Sequence, residues 1–244
     1  MKRLRPYILE EEESAMLMIN HMSAGYGDSN VIKDLNLEVA DGKIVCLIGR
    51  NGVGKSTTLK GIMGLIKTPS GSAMLENQEM IKMPTYDRVK LGIGYVPQGR
   101  EIFPQMTVQE NLELGLKARG GGKVPEYIYD LFPILPAFAR RNGGDLSGGQ
   151  QQQLAIARAL VTKPKILILD EPTEGIQPSI IEDIGVAIRR VNQELGITVL
   201  IVEQYLDFVL GISDNLYIME KGNIVLEGET RQIPREKILK YMAE

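Results

Sequence analysis

The sequence has little of the chemistry on which several protein classes depend. Its 244 residues include one cysteine (Cys46), one histidine (His21) and no tryptophan. A single cysteine allows no disulfide within the chain, which excludes a disulfide-stabilised scaffold and fits a reducing compartment. The net charge is only −3, from 28 basic and 31 acidic residues. Because a protein that binds nucleic-acid backbones is usually clearly basic, we do not expect nucleic acid as a partner.

Long apolar runs are also lacking. No run approaches the roughly 18 to 20 apolar residues that a membrane-spanning helix needs. Residues 1–15 contain no apolar segment of the kind found in secretory signals, and they carry four consecutive acids at residues 10–13. We therefore expect residues 1–15 to form a flexible tail and residues 16–244 to form a single domain.

The remaining chain alternates strand patterns with helix patterns. Continuous apolar runs at residues 44–48 and 166–169 are typical of strands buried in a parallel sheet, and Thr198–Val202 predicts a third buried strand. With helical patterns between them, these runs predict an α/β domain. Short strands between Leu17 and Val39 add an N-terminal β region, and a helix-rich stretch predicts an inserted α-helical lobe at about residues 100–150.

One glycine-rich loop matches the phosphate-binding pattern G-x-x-x-x-G-K-[ST]. Its glycines let backbone N–H groups surround a phosphate chain, and the following helix N-terminus adds partial positive charge. Lys55 is placed to reach the β- and γ-phosphates, and the Ser56 hydroxyl to bind Mg²⁺. A chance glycine-rich turn is disfavoured, because the loop leaves a buried strand and opens a helix. The predicted ATP-binding residues of this loop are Gly49, Arg50, Asn51, Gly52, Val53, Gly54, Lys55, Ser56 and Thr57.

Two further motifs follow the loop. Leu146–Gln150 reads Leu-Ser-Gly-Gly-Gln, in which Ser147 and Gln150 also form the S-x-x-Q pattern of a helix-capping box. The capping and anion-binding interpretations are compatible, because a helix N-terminus is itself an anion site. The third motif is an apolar strand that ends in Asp170 and Glu171, at the sheet edge where ligands bind. Asp170 is expected to hold Mg²⁺ and Glu171 to polarise the attacking water.

These motifs, in this order, resemble the Walker A loop, signature and Walker B strand of the ABC ATPase family, over about Leu17 to Leu226. The resemblance implies a P-loop ATPase core with a parallel sheet, an N-terminal antiparallel β subdomain and the inserted helical lobe. It also implies Glu171 as the catalytic carboxylate and Tyr26 as the aromatic residue that stacks on adenine. Gln98 takes the place of the Q-loop residue near Mg²⁺ and the attacking water.

The same resemblance implies how such a chain works. Two ATPase domains meet head to tail, and each ATP lies between the P-loop of one and the loop 147–149 of the other, so that ATP stabilises the dimer. The helical lobe and residues 98–103 would engage a helix of a transmembrane permease. A second ATPase subunit and an external substrate-binding protein are further implied partners, and a homodimer is compatible too. The expected location is peripheral, at the cytoplasmic face of the inner or plasma membrane.

One position departs from the family pattern. Most ABC ATPases carry a histidine after the strand that follows Walker B, whereas here Gln204 occupies that place and His21 lies far upstream. Gln204 is expected to sense the γ-phosphate through a hydrogen bond, with Glu171 as the main base. The implied catalytic residues are thus Lys55, Gln98, Glu171 and Gln204, the metal ligands Ser56, Gln98 and Asp170, and the signature contacts to ATP Ser147, Gly148, Gly149 and Gln150.

In having a glutamine at this position, the sequence resembles the ATP-binding subunits of branched-chain amino acid and urea importers. Residues 92–104 and 171–179 share that resemblance, and Glu174–Pro178 together with Glu203–Tyr205 is most similar to the urea branch. Urea or a related small amide is therefore the expected substrate, with branched-chain amino acids as the alternative. A soluble ABC ATPase without a permease is a further alternative. The single P-loop and the absence of a long insertion between the motifs favour a transporter.

Overall fold

The computed structural model describes residues 14–27, 29–118 and 120–242. The predicted tail at residues 1–15 lies outside the described residues except for its last two positions. The strands are β1 (Ala15–Tyr26), β2 (Ser29–Ala40), β3 (Ile44–Ile48), β4 (Lys67–Leu75), β5 (Gln78–Glu79), β6 (Ile93–Val96), β7 (Ile166–Asp170), β8 (Thr198–Glu203), β9 (Asn215–Glu220) and β10 (Asn223–Glu229). The helices are α1 (Lys55–Met63), α2 (Thr85–Leu91), α3 (Val108–Lys117), α4 (Glu126–Leu131), α5 (Ile134–Ala137), α6 (Gly148–Leu160), α7 (Pro178–Leu195), α8 (Leu206–Ile212) and α9 (Arg235–Met242).

The N-terminal strands form an antiparallel sheet in the order β2-β1-β4-β5, as the family resemblance implied. β1 and β2 make a hairpin longer than the predicted strands, because register shifts along β1 keep the pairing intact over its whole length. Leu17 and Ile19 of β1 pack in one core cluster with Leu59 and Ile62 of α1. This subdomain therefore supports the helix that follows the P-loop.

The central sheet has six strands in the order β10-β9-β3-β8-β7-β6. β3 pairs in parallel with β8 and with β9, β8 with β7, and β7 with β6, while β10 pairs antiparallel with β9. The prediction of an α/β fold with a parallel core is thus confirmed.

Alternate residues of the central strands face two different cores. In β3, Val45 and Leu47 join the cluster beneath the antiparallel sheet, whereas Cys46 and Ile48 join the cluster formed with α3, α6 and α7. Both faces are buried, which explains why the strand is apolar at every position. Cys46 is a small core residue, and burial raises the pKa of its thiol.

The parallel strands carry the predicted motifs to one edge of the sheet. β3 leads into the loop that starts at Gly49, β7 ends at Asp170, β8 precedes Gln204 and β6 precedes Gln98. Because carboxyl ends of parallel strands share an edge, four segments far apart in the sequence converge there.

Helices α3, α4 and α5 lie within the range predicted for the helical lobe, and α3 packs against α6. Thr107 caps α3 with a complete capping box that includes Glu110. The sequence did not indicate α2 and α8, which have seven residues each and are too short for a clear helical period. Throughout the described ranges, no helix combines the length and apolarity required to span a membrane.

Candidate nucleotide-binding site

The P-loop runs from β3 to α1, the strand–loop–helix context that its sequence predicts. Gly54 precedes the helix with φ 116°, and a Cβ there would lie 2.6 Å from Ile32 Cδ1, so only glycine fits. The Val53 carbonyl accepts a hydrogen bond from the Gly222 N–H at 2.8 Å, which ties the loop to the β9–β10 turn. Thr57 is buried in the first turn of α1.

Lys55 is buried inside the curl of this loop. Its Nζ donates hydrogen bonds to the carbonyls of Gly49 (2.9 Å) and Arg50 (3.0 Å) and lies 3.3 Å from Glu171 Oε1. The ammonium group is therefore held where the loop turns its backbone inward, next to the predicted catalytic carboxylate.

Ser56 and Asp170 form the second contact between the P-loop and β7. The Ser56 hydroxyl donates to Asp170 Oδ1 at 2.9 Å, while Asp170 Oδ2 is buried without a hydrogen-bond partner. Burial raises the pKa of Asp170 to about 6, against the opposing effect of the Ser56 hydrogen bond. Among the described residues no cluster of three or more His, Cys, Asp or Glu side chains could hold a metal. A cation at this place would therefore share its ligands with phosphate, as Mg²⁺ commonly does.

Glu171 lies at the centre of a hydrogen-bonded group, with a left-handed φ of 47°. Gln204 Nε2 donates to Glu171 Oε1 at 2.9 Å and to Asn51 Oδ1 at 2.5 Å. Gln98 Nε2 donates to Glu171 Oε2 at 3.2 Å and to Glu174 Oε2 at 3.0 Å. The structure thus brings the predicted catalytic residues together, and a strained backbone at such a position is typical of functional sites.

The signature loop is built locally. Ser147 is the N-cap of α6: its N–H donates to Gln150 Oε1 at 3.0 Å, and its hydroxyl accepts from the Gln150 N–H at 3.4 Å. A Cβ on Gly149 would lie 2.7 Å from Ile180 Cγ2, so the loop backbone packs closely on α7. The Arg100 guanidinium lies against Gly148 and donates to the Glu174 carbonyl at 3.2 Å. The capping interpretation is confirmed. Ser147 is also exposed at the surface.

Tyr26 and the signature loop Ser147–Gln150 lie apart from this group. Tyr26, at the end of β1, exposes 50% of its surface as a flat ring. None of the hydrogen bonds between described residues links the loop Ser147–Gln150 to the P-loop. Within one chain the structure therefore assembles the P-loop, Walker B and glutamine residues, but not the signature.

Three residues that bond to the site were not selected from the sequence. Glu203 is buried at the end of β8, Thr173 donates to it, and Glu174 accepts from Gln98. Glu203 carried a usable signal, because an acid that ends a continuous apolar strand repeats the pattern of Asp170.

Comparisons with known proteins agree with this geometry. The sequence model of the family described as "ABC transporter" matches residues 32–174, which include the P-loop, the signature loop and Walker B. A probable branched-chain amino acid transport ATP-binding protein of Archaeoglobus fulgidus is 38% identical over 89% of this chain and 94% of its own length. A high-affinity branched-chain amino acid transport ATP-binding protein of Pseudomonas aeruginosa is 40% identical over 86% of this chain and 91% of its own length.

Solved structures share the fold. An ATP-binding cassette of an ABC transporter in its ADP conformation superposes with a TM-score of 0.79 and 30% identity, over 94% of this chain and 99% of that one. A dimeric ATP-binding cassette in a post-hydrolysis state, bound to ADP and Pi, gives a TM-score of 0.78 and 27% identity, over 89% of this chain and 100% of that one. The likeness covers both the site and the framework that positions it.

Proposed function

This chain belongs to the ABC transporter family and is an ATPase, and we propose that it powers the uptake of branched-chain amino acids as an ATPase subunit of an importer. The observation that carries the substrate is the agreement of two relatives, 38% and 40% identical over nearly their full lengths, both named for branched-chain amino acid transport. The expectation of urea, drawn from Glu174–Pro178 and Glu203–Tyr205, has no such support. Branched-chain amino acids, given above as the alternative, therefore have the better support as the substrate.

Hydrolysis requires a base for the attacking water, and Glu171 takes this role. The water oxygen bonds to the γ-phosphorus, the bond to the β-phosphate oxygen breaks with its electrons leaving on ADP, and the water proton passes to Glu171. Gln204, 2.9 Å from Glu171 Oε1, orients this carboxylate and senses the γ-phosphate. Lys55 stabilises negative charge on the transferred group when phosphate oxygens replace the loop carbonyls as its partners.

The polar atoms at the end of β7 fit a magnesium ion. Asp170 Oδ2 is buried and unpartnered beside the Ser56 hydroxyl, and oxygen is the ligand that Mg²⁺ prefers. Ser56, Asp170 and Gln98 would hold this ion, which neutralises charge on the phosphates. The protein's own contribution is to fix these oxygen atoms before ATP arrives.

The signature loop serves ATP held by another chain. Ser147 and its helix N-terminus make no hydrogen bond to the P-loop of their own chain among the described residues, and an exposed helix N-terminus attracts anions. The related cassette bound to ADP and Pi is a dimer. We therefore place each ATP between the P-loop of one subunit and the loop 147–149 of the other. In the importer the second subunit is a different ATPase, although one chain carries both halves of the site.

A groove between the helical lobe and the central sheet fits the permease. It encloses about 430 Å³ and is lined by apolar side chains that include Leu65 and Phe103, 52% and 44% exposed. Tyr95 Oη and Arg158 Nη1 line it too, buried without partners. A permease helix with an apolar face would cover the exposed side chains of Leu65 and Phe103. Because Phe103 belongs to the segment that starts at Gln98, docking here reaches the ATP site.

Uptake by intact cells tests the substrate. Cells that lack only this chain are expected to lose uptake of labelled leucine while uptake of labelled urea is unchanged. The parent sequence should restore leucine uptake, whereas Glu171→Gln, expressed at the same level, should not.

Loss of urea uptake alone would overturn the substrate and leave the ATPase assignment in place. If neither uptake changed in the deficient cells, both substrates would be wrong, and a different permease or a role without a permease would be indicated. Phosphate release by the purified chain separates these outcomes from a failure of ATP hydrolysis.

A further inference from the structure

Glu203 is a buried carboxylate that lies outside the predicted catalytic group. It connects two loops that carry members of that group. Glu203 is the last residue of β8 and is 3% exposed. Its Oε1 accepts from the Thr173 N–H at 2.9 Å and the Thr173 hydroxyl at 2.6 Å. Its Oε2 accepts from the N–H groups of Gln204 at 2.7 Å and Tyr205 at 3.1 Å. Each oxygen thus bonds to a different loop.

The two loops held in this way carry the residues that meet across the site. Thr173 stands two positions after Glu171, and Gln204 is the residue whose amide reaches Glu171 Oε1. The Glu171 N–H also donates to the Val202 carbonyl at 2.9 Å. The end of β8 therefore joins the loop that carries Glu171 to the loop that carries Gln204.

Burial of a carboxylate is costly, and apolar side chains would fill a structural position at lower cost. Here the charge is balanced by three backbone N–H groups and one hydroxyl, and charge-assisted hydrogen bonds of this kind are short and directional. A neutral side chain could not accept all four. This arrangement fixes the geometry of both loops, which hydrolysis requires and stability alone does not.

We infer that Glu203 is a positioning residue for ATP hydrolysis, whose carboxylate holds the Gln204 amide in register with Glu171. Glu203 does not touch the nucleotide. It acts on the step after ATP has bound, because the P-loop contacts of Lys55 and Ser56 do not pass through it. The inference depends on the ATPase activity and is independent of the transported substrate.

Steady-state kinetics of Glu203→Gln provides the test. The amide retains one acceptor oxygen and turns an NH₂ group towards N–H donors, so one loop loses its anchor. We expect kcat to fall roughly tenfold with KM for ATP changed less than about twofold, since only the transition state needs this alignment.

A double-mutant cycle with Gln204→Ala separates positioning from general destabilisation. In the parent background Gln204→Ala should lower kcat roughly tenfold or more, because it removes a donor from a charged group. In the Glu203→Gln background the same change should lower kcat less than about threefold. Independent, multiplicative losses would overturn the inference.

Asp214→Asn is a control for the loss of a carboxylate that accepts a backbone hydrogen bond outside the site. Its carboxylate also accepts a backbone hydrogen bond, from the Ile44 N–H at 2.8 Å, but at the end of β3 remote from the P-loop. It should lower the melting temperature without changing kcat. Should Asp214→Asn lower kcat as much as Glu203→Gln, the effect would be structural and the inference wrong.

Thr173→Val keeps the test valid if Glu203→Gln does not fold. It removes only the hydroxyl donor and leaves three hydrogen bonds to Glu203. A threefold to fivefold fall in kcat, reduced when Gln204 is already alanine, supports positioning. An unchanged kcat in a folded Thr173→Val protein would contradict it.

Discussion

The P-loop edge and the signature loop are held in different ways. At the P-loop edge, Lys55, Glu171 and Gln204 come from three segments distant in sequence, and Glu171 pairs with the Lys55 ammonium and accepts a hydrogen bond from Gln204. The signature loop depends on Ser147 and Gln150, three positions apart at the start of one helix. A substitution at the P-loop edge should therefore disturb several segments of the site, whereas a substitution in the signature loop should act locally. Perturbations of the two regions should differ in size and kind.

Breaking the centre of the P-loop network should have the largest effect. Glu171→Gln keeps the side-chain shape but removes the base that accepts the water proton. ATP hydrolysis should fall by about 10²- to 10⁴-fold, as when a general base is lost. ATP binding should persist, so the variant should form an ATP-dependent dimer, measured by phosphate release and by size-exclusion chromatography with light scattering.

A second substitution, in the signature loop, tests whether that loop faces the other subunit of the dimer. Glu171→Gln combined with Ser147→Arg should remain monomeric with ATP, because the arginine would disturb the signature surface. If the double variant still dimerised with ATP, the signature loop would not face the nucleotide of the other chain.

A smaller effect on stability is expected at Asp170, where a charge is buried at the end of β7. Its pKa is raised from 3.8 to about 6, so the folded protein binds a proton more tightly than the unfolded chain does. The protonated Asp170 carboxyl therefore contributes to the free energy of unfolding. This contribution is complete below pH 3.8 and is lost as the pH rises through about 6. In chelator, the free energy of unfolding should fall by about 3 kcal/mol over this window. Asp170→Asn should remove that fall, measured by urea unfolding between pH 4 and 7.

Glu110→Gln serves as a control of opposite sign. Hydrogen bonds from the Thr107 backbone and hydroxyl lower the pKa of Glu110, so its contribution to stability is present at neutral pH and lost as pH falls through the folded pKa. Its removal should leave the decline between pH 4 and 6 in place. A decline that survives in Asp170→Asn would show that another group is responsible.

The smallest effect should come from the capping boxes. Ser147→Ala and Thr107→Ala each remove an N-cap hydroxyl from a box of the same design, and each should cost about 1 kcal/mol of stability. Thr107 lies in the helical lobe, away from the site. Only Ser147→Ala should also lower ATPase turnover, by several-fold, as measured on the purified protein. Equal turnover in both variants would leave Ser147 with a capping role alone.

The same contrast explains what the sequence could predict. Local patterns located β3 at its observed bounds and identified the Ser147–Gln150 cap, because neighbouring residues determine them. The arrangement of β3 between β8 and β9 depends on pairing between distant segments, and no local pattern predicted it. Glu203 was not predicted as a site residue although it ends an apolar strand, because its two hydrogen bonds from Thr173 become visible only when β7 and β8 lie side by side.

The substrate was the least predictable property. Short stretches such as Glu174–Pro178 favoured urea, but their residues bond to the hydrolysis site: Glu174 to Gln98 and Glu203 to Thr173. They report how the ATPase is assembled rather than what the permease carries. Identity along the whole chain is the better guide here.

The place of β3 in the sheet also has a consequence during synthesis of the protein. Cys46 pairs with Ile201 on one side and with Leu216 on the other, so both neighbours of the P-loop strand are made long after it. At about 5–20 residues per second, the ribosome needs roughly ten to thirty seconds to supply them. A nascent or prematurely ended chain thus carries the complete phosphate-binding sequence without a sheet behind it. We therefore expect ATP to protect finished chains from proteolysis and not truncated ones.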